Sequence, residues 1–340
     1  MFSRTAFSFC VFLMLLVGAR YAVAAEVSLH NSGAAPSFKL RVLHIPLQYL
    51  QPSEVKRLIK KAADAKFNAI ILAINGMVAL NSLPAVIDKA WSKDELRDVA
   101  KYTNALGIKV IPEVKLLSHQ KLFFAEHFPD LMFDHETYDP NNPAVYKKVL
   151  PILDELVELL HPSAIHIGHD EVNGAYQSKT LLGRWKLMLP AVLFTKDVLV
   201  IYTHLRSLGV ETWMWGDMLL GADEFPDMER SPLNGGAGGY GKKLRIRLPK
   251  DIVICDWHYA DKQADFPSLR ALRSDGFRVL GATYLDKNTM HGFSQYASQN
   301  GGDGMIATLW VYPMRKDWET TYQIIRESGA VFNRDFPDEK

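Results

Sequence analysis

Cysteine is scarce in this chain of 340 residues, which contains only Cys10 and Cys255. Cys10 lies in a hydrophobic stretch near the N-terminus, so the remainder of the chain holds a single cysteine. One cysteine cannot form an internal disulfide, which excludes the small disulfide-stapled scaffolds. We therefore expect a hydrophobic core to supply the stability of the fold.

A surplus of charge of either sign is also lacking. The sequence has 39 Lys and Arg residues against 38 Asp and Glu residues, which gives a formal net charge of +1. Outside the short basic segment 242–247 there is no long basic run, so the sequence lacks the electrostatic footprint of a nucleic-acid-binding protein. Nucleic acid is therefore not an expected partner.

The N-terminus has an apolar run, but it is too short to cross a bilayer as a helix. Arg4 precedes the apolar residues 7–17, and the small residues of Ala22-Val23-Ala24 come just before Glu26. This order is typical of a signal peptide of residues 1–24 that is cleaved after Ala24, with an N-terminal membrane anchor as the alternative. We expect an exported protein, periplasmic or extracellular, with no membrane span after cleavage.

Short apolar segments alternate with amphipathic segments along the rest of the chain, after a short lead of residues 25–38. The pattern predicts eight strands, each followed by a clear helix except the fifth. The predicted strands are residues 39–45, 68–74, 108–114, 164–168, 210–215, 251–257, 277–282 and 304–310. The predicted helices are one that begins at Pro52 and those of residues 92–106, 143–160, 196–208, 267–274, 288–298 and 317–332.

This alternation requires parallel strands joined by right-handed crossovers, and eight such units are enough to close a barrel. We predict one domain over residues 39–340 with the (β/α)8 TIM-barrel fold, and a doubly wound open sheet is the alternative. The glycine-rich segment 234–241 is interpreted as a mobile loop on the active face or as an inert linker. Residues 177–189 are interpreted as an insertion that overhangs the pocket.

Polar and aromatic residues are concentrated where the predicted strands end. Catalytic groups of such barrels lie at the carboxyl ends of the strands, so these side chains are expected to meet at one mouth. Aromatic faces beside polar groups also suit sugar ligands. The residues are Glu113 and His119 after strand three, Asp170 and Glu171 after strand four, Trp213, Trp215 and Asp217 at strand five, Trp257 at strand six, Tyr284 and Asp286 at strand seven, and Trp310 and Tyr312 at strand eight.

Asp170 and Glu171 are adjacent in sequence, which limits the chemistry they can perform. A conventional retaining glycosidase needs a nucleophile and an acid on opposite sides of the scissile bond, about 5 Å apart. Neighbouring carboxylates can instead cooperate if the substrate supplies its own nucleophile, the carbonyl oxygen of a 2-acetamido group. Like charges this close also raise the pKa of one carboxyl group, which keeps an acid protonated near neutral pH.

The segment from His166 to Val172, His-Ile-Gly-His-Asp-Glu-Val, resembles the His-x-Gly-Gly-Asp-Glu-Val signature of glycoside hydrolase family 20, the β-N-acetylhexosaminidases. Pro112-Glu113 with Ser118-His119, Tyr138-Asp139-Pro140, and Tyr284-Leu285-Asp286 resemble further elements of that family, in the same order. The resemblance covers about residues 39–332. It implies a single-domain barrel that removes terminal N-acetylhexosamine from an oligo- or polysaccharide and needs no metal and no cofactor.

Carried over residue by residue, the resemblance makes Glu171 the general acid and base and Asp170 the group that orients the acetamido nitrogen. Tyr284 would hydrogen-bond the attacking carbonyl oxygen, and His119 would support the acid. The remaining substrate-binding roles fall to Arg41 and Asp286 at the sugar hydroxyls, and to Trp215 with Asp217, Trp257 and Trp310 at the walls of the pocket.

Two positions depart from the family pattern. His169 replaces the second glycine of the signature, and Tyr312 replaces a glutamate two residues after the last tryptophan, so the reaction type is better defined than the substrate. Two other functions stay open. One is a metal-dependent barrel hydrolase, such as a deacetylase, with ligands among His119, His169, Asp170 and Glu171. The other is a barrel that binds amino sugars without cleaving them.

Overall fold

The computed structural model describes residues 38–83, 89–122, 124–172, 189–236, 238–261 and 263–334. The predicted signal peptide of residues 1–24 and almost all of the predicted lead lie outside these ranges. The predicted insertion 177–189 also lies outside them, apart from Leu189. Within the described ranges, no helix is long and apolar enough to cross a membrane.

Eight parallel strands close into a barrel in chain order, and the first strand pairs with the last. This confirms the predicted (β/α)8 fold and rules out the open-sheet alternative. The strands are β1 (Leu40–Pro46), β2 (Ala69–Ala73), β3 (Lys109–Leu116), β4 (Ala164–Gly168), β5 (Glu211–Trp215), β6 (Val253–Trp257), β7 (Arg278–Thr283) and β8 (Gly304–Thr308).

The helices lie outside the barrel; most of them connect successive strands, and the last two follow β8. Their ends follow local signals where the sequence supplies them: Ser92 and Glu95 form the predicted capping box. The helices are α1 (Pro52–Asp64), α2 (Lys93–Ala105), α3 (Phe124–His127), α4 (Tyr146–Leu160), α5 (Ala191–Ser207), α6 (Tyr240–Arg247), α7 (Pro267–Ser274), α8 (Lys287–Gln299), α9 (Val311–Met314) and α10 (Trp318–Phe332).

The structure corrects two predictions about the segment after β5. A helix, α6, follows the fifth strand, and it begins within the glycine-rich segment that we interpreted as a mobile loop or linker. The start of that segment is packed, because a Cβ added at Gly235 would meet the carbonyl oxygens of Leu220 and Met218 at 2.6 and 2.7 Å. Its glycines therefore permit close packing against the chain that leaves β5.

Alternate strand positions divide the core into two layers. Inward side chains such as Val42, Ile71 and Val253 fill the barrel, whereas outward side chains such as Ile70 and Ile254 pack under the helices. This division follows from the two-residue period of a strand and places the mouth of the barrel above a solid interior. Side chains at the last inward positions therefore face the space above that interior.

Candidate active site

The chain leaves β4 in an unusual backbone conformation. Gly168, His169 and Glu171 all have positive φ values, of 72°, 66° and 50°. At Gly168 an added Cβ would lie 3.0 Å from the backbone of Lys115, so a side chain has no room there. Left-handed residues other than glycine are costly and persist where the surrounding structure holds them, often at functional sites. This turn places both carboxylates of Asp170 and Glu171 at the mouth.

Asp170 is buried at the floor of the mouth. Its Oδ2 lies 3.2 Å from Nε2 of His119 and 3.5 Å from Nζ of Lys115. Burial alone would raise the pKa of this carboxyl group, but Lys115 and His119 outweigh burial and hold the pKa well below its usual value. Its other oxygen, Oδ1, is buried and has no hydrogen-bond partner among the described residues. Asp170 is thus an ionised group with one acceptor still available.

Glu171 is half-buried beside Asp170. Burial and the charge of Asp170 raise the pKa of the Glu171 carboxyl group above its ordinary value, which favours its protonated form. Oε2 lies 3.7 Å from Nε2 of His119, so the histidine faces both carboxylates. One environment therefore shifts the pKa values of the two acids in opposite directions.

Asp217, which we predicted to contact the substrate, uses its Oδ2 for hydrogen bonds within the protein. That oxygen accepts hydrogen bonds from the backbone N–H of Glu171, at 2.8 Å, and from Nδ2 of Asn234, at 3.0 Å. Burial and the charge of Asp170 raise the pKa of Asp217 to about 7. Asp217 thus holds the backbone of Glu171 in place, which is a positioning role.

A cavity of about 220 Å³ lies at the mouth. Trp215, Trp257 and Trp310, which we predicted for its walls, all line it. Trp257 and Tyr259 stack with ring centroids 4.9 Å apart and an interplanar angle of 24°. The described lining residues are Lys115, Asp170, Glu171, Trp215, Trp257, Tyr259 and Trp310.

Lys115 and Tyr259 are the two lining residues that sequence reasoning missed. Each lies two positions after a residue already singled out, Glu113 and Trp257, so strand alternation was the signal available for both. Nζ of Lys115 lies 5.4 Å from the centroid of the Trp310 ring. Burial would lower the pKa of Lys115, but Asp170 and Glu113 outweigh it and raise the pKa, so the lysine is a cation inside the cavity.

A buried polar network supports the floor from below. Glu113 lies 2.6 Å from Nε2 of His44 and accepts a hydrogen bond from Nε1 of Trp215 at 3.2 Å. Burial would raise the pKa of Glu113, but the charge and hydrogen bond of His44 lower it to about 2. His166 is fully buried, and burial lowers its pKa to about 4. These contacts fix the orientation of the Trp215 indole.

Arg41 does not reach the mouth, so its predicted contact with sugar hydroxyls is wrong. It is the second residue of β1, where the strand enters the barrel, and it pairs with Met305 at the start of β8. Its guanidinium donates hydrogen bonds to the carbonyl oxygens of Lys66 and Phe38. The carboxyl ends of the strands, where the cavity lies, are at the other end of the barrel.

Tyr284 and Asp286 lie near the mouth but not among the described lining residues. The Tyr284 ring contacts the rings of Tyr259 and Tyr312, each at 5.7 Å between centroids. Asp286 is exposed, and its Oδ1 accepts a hydrogen bond from the backbone N–H of Thr289, which caps α8. Their predicted contacts with the substrate stay predictions.

His169, which replaces the second glycine of the family signature, adds no bulk beside the acid. Its side chain is fully buried and points away from the cavity, with Nε2 2.9 Å from Oδ2 of Asp197 on α5. Nδ1 lies 3.0 Å from the carbonyl oxygen of Ile167. The positive φ explains why glycine suits this position, and the buried partner explains how histidine can replace it.

Three of the four candidate metal ligands lie close together at the mouth. Ligand atoms of His119, Asp170 and Glu171 lie within 4.8 Å of one another, close enough to hold a cation. The Lys115 ammonium 3.5 Å from Oδ2 of Asp170 opposes a divalent cation at that oxygen. His169, the fourth candidate ligand, points elsewhere. The donor set therefore fits a metal ion poorly.

The fold and site together define a closed (β/α)8 barrel whose mouth combines a carboxylate pair with indole walls. The chain belongs to glycosyl hydrolase family 20, because the model of that family's catalytic domain matches residues 41–325. It is 27% identical over 203 residues to a β-hexosaminidase of Emericella nidulans, covering 51% of this chain and 34% of that protein. It is also 27% identical over 181 residues to a β-hexosaminidase of Vibrio furnissii, covering 41% and 30%.

A solved structure shows the same fold. The family 20 exo-β-N-acetylglucosaminidase of Vibrio harveyi, in complex with N-acetylglucosamine, superposes with a TM-score of 0.64 at 18% identity. The match covers 88% of this chain and 55% of that one. The matched region spans about a third of the length of the two β-hexosaminidases, 34% and 30%.

Proposed function

We propose that this protein is a retaining β-N-acetylhexosaminidase that removes terminal N-acetylhexosamine from glycans. The observation that carries the proposal is the pairing of an ionised Asp170, with Oδ1 available, and a Glu171 whose pKa is raised. None of the other described lining residues is a carboxylate that could attack from the opposite side. The substrate's own acetamido group is then the nucleophile.

The reaction follows from these groups. Oδ1 of Asp170 accepts a hydrogen bond from the acetamido N–H, which aims the carbonyl oxygen at the anomeric carbon. That oxygen forms a bond to the carbon as the glycosidic bond breaks, and Glu171 gives its proton to the departing oxygen. Glu171 then removes a proton from water, which attacks the oxazolinium ring and regenerates the acetamide with retention of configuration. The indoles of Trp215, Trp257 and Trp310 enclose the sugar.

The test is hydrolysis of a chromogenic β-N-acetylglucosaminide and its galacto epimer. We expect Glu171→Gln and Asp170→Asn to lower kcat/KM by about 10²- to 10⁴-fold, because they remove proton transfer and orientation of the nucleophile. The control is Glu211→Gln, at the start of β5 and paired with Arg278 on the surface. Wild-type protein that cleaves neither epimer nor any N-acetylhexosamine oligosaccharide would overturn the proposal.

Two further outcomes would favour the alternative functions. Binding of amino sugars without turnover favours a non-catalytic binding protein. Loss of activity on treatment with a chelator, restored by a divalent cation, favours a metal-dependent hydrolase. The mechanism proposed here predicts full activity in the presence of chelator.

We also propose that the protein is exported, since residues 1–24 have the order of a signal peptide. The amino-sugar glycan is then met outside the cytoplasm. N-terminal sequencing of the protein recovered from the periplasm or medium should begin at Ala25. An intact leader on protein retained in the cytoplasm contradicts export.

A further inference from the structure

One wall of the cavity is a stacked aromatic pair at the end of β6. Trp257 and Tyr259 both line the cavity and lie in contact with each other, with their rings nearly parallel. Tyr259 lies in the loop that follows β6, so its position depends on the contacts that hold that loop. The residue between the two rings, His258, faces the opposite way because successive side chains alternate.

His258 is fully buried between the barrel and the helices. Its Nδ1 lies 3.0 Å from Oδ2 of Asp261, and its Nε2 lies 3.0 Å from Oγ of Ser268 and 3.5 Å from Oδ1 of Asp256. Oγ of Ser268 in turn donates a hydrogen bond to Oδ2 of Asp256 at 2.7 Å. We call Asp256, His258, Asp261 and Ser268 the β6 anchor.

The β6 anchor joins four elements. Asp256 lies on β6, Ser268 lies on α7, and the carbonyl oxygen of Asp261 accepts a hydrogen bond from Oγ1 of Thr289 on α8. The backbone N–H of His258 donates to the carbonyl oxygen of Ala282 on β7, which extends the pairing of β6 and β7 beyond the end of β6. The loop that carries Tyr259 is thus tied down on both sides of that residue.

Aromatic rings enclose the β6 anchor, and the charges within it compensate one another. The rings of Phe266 and Phe293 lie 4.9 and 4.7 Å from the His258 ring, both edge-on, so the site excludes water. Burial would lower the pKa of His258, but Asp256 and Asp261 outweigh it and raise the pKa to about 9. At neutral pH the ring is a cation that compensates two buried carboxylates.

We propose that His258 is a positioning residue that sets the placement of the Trp257–Tyr259 wall and thereby the affinity for the sugar ring. The inference rests on the proposed function, because it assumes that the cavity holds an amino sugar. The wall contacts the ring in substrate and product alike. Loss of the β6 anchor is therefore expected to weaken binding more than it slows the chemical step.

The test compares His258→Gln and Asp261→Asn with the wild type. Asp261→Asn keeps His258 paired with Asp256 and Ser268, so it is the milder variant if His258→Gln fails to fold. The control is His204→Gln, which removes a histidine–aspartate contact of 2.7 Å on the surface of α5. Three quantities are measured: the Kd for N-acetylglucosamine by titration calorimetry, KM and kcat, and hydrogen exchange of residues 257–261.

We expect His258→Gln to raise Kd and KM about tenfold, with a smaller change in kcat and faster exchange of the loop. Asp261→Asn should act in the same direction by a smaller factor, and His204→Gln should match the wild type. Folded variants with wild-type Kd and KM would overturn the positioning role.

The two proposals fail separately. A wild type that binds N-acetylglucosamine but cleaves no substrate overturns the proposed function, while a Kd raised in His258→Gln still supports the β6 anchor. A wild type that neither binds nor cleaves overturns both.

Discussion

At the scale of single residues, Lys115 places a positive charge in the cavity beside the carboxyl groups of Asp170 and Glu171. Its ammonium lies 3.5 Å from Oδ2 of Asp170 and faces the Trp310 ring. After burial, Lys115 is the strongest influence on the pKa of Asp170, and it also opposes the rise in the pKa of Glu171. A cation here thus favours the ionised forms of both acids.

Removal of that cation should shift the pH dependence of the reaction. The proposed mechanism requires ionised Asp170 and protonated Glu171, so loss of the Glu171 proton sets the alkaline limb of kcat/KM. Lys115→Met lets the pKa of Glu171 rise, and we expect the alkaline limb to move to higher pH. Lys115→Arg keeps the charge and serves as the control. A profile unchanged in Lys115→Met contradicts the assigned role.

The two tyrosines near the mouth give a second prediction at this scale. Tyr259 is half-buried and lines the cavity, whereas Tyr284 is not among the described lining residues and contacts the Tyr259 ring. We expect Tyr259→Phe to lower kcat/KM more than Tyr284→Phe, because Tyr259 lines the cavity and Tyr284 is not among the described lining residues. Kinetics of both variants on one chromogenic substrate settle the order. A larger effect at Tyr284 would instead favour the role that the family resemblance assigns to it.

At the scale of elements, the loop after β4 is held from two sides. His169 bonds Asp197 on α5, whose Oδ2 also accepts a hydrogen bond from the hydroxyl of Tyr138 at 2.9 Å. Asp217, following β5, holds the backbone of Glu171. The left-handed residues of this loop are therefore fixed by neighbouring elements rather than by their own preferences.

The variant His169→Gly is expected to lower the stability of the protein without changing its choice of substrate. The change relieves a left-handed residue at about 1 kcal/mol but leaves the buried Asp197 with one partner fewer, at about 2–4 kcal/mol. We expect the free energy of unfolding to fall by about 1–3 kcal/mol, with an unchanged ratio of kcat/KM between gluco and galacto substrates. Denaturant melts and kinetics measure the two. His204→Ala, at an exposed pair, should change stability by under about 0.5 kcal/mol.

Elements were easier to predict than contacts. Strand and helix positions follow from the period of apolar residues, so β4 and α7 were predicted to the residue. Helix α6 was missed because glycines hide its start and it has only eight residues. Arg41 was misplaced because the motif match was followed, although Arg41 stands near the start of the predicted strand 39–45, the end opposite the mouth.

The sequence alone did not predict the partners of the buried polar groups. Nothing local to His169 indicates Asp197, 28 residues further along the chain, and nothing local to Glu171 indicates Asp217. The acidic pair itself could be assigned, because its position after a strand and its adjacency limit the chemistry. The residues that support it depend on packing between separate elements.

At the scale of the whole molecule, the barrel brings strands three, four, five, six and eight to one cavity. Residues from 115 to 310 line it, so the site forms only when the barrel closes. The barrel is shared with the other members of family 20, and the chemistry proposed here depends on side chains at its mouth. The central claim is that the substrate's acetamido oxygen, not a protein group, attacks the anomeric carbon.

A series of aryl N-acetylglucosaminides whose acetyl group carries zero, one, two or three fluorines tests that claim most directly. Fluorine withdraws electrons from the carbonyl oxygen and weakens it as a nucleophile, with little change in size. The mechanism predicts that kcat/KM of the wild-type protein falls steadily with each fluorine. A kcat/KM that is independent of fluorination would show that the acetamido group is not the nucleophile.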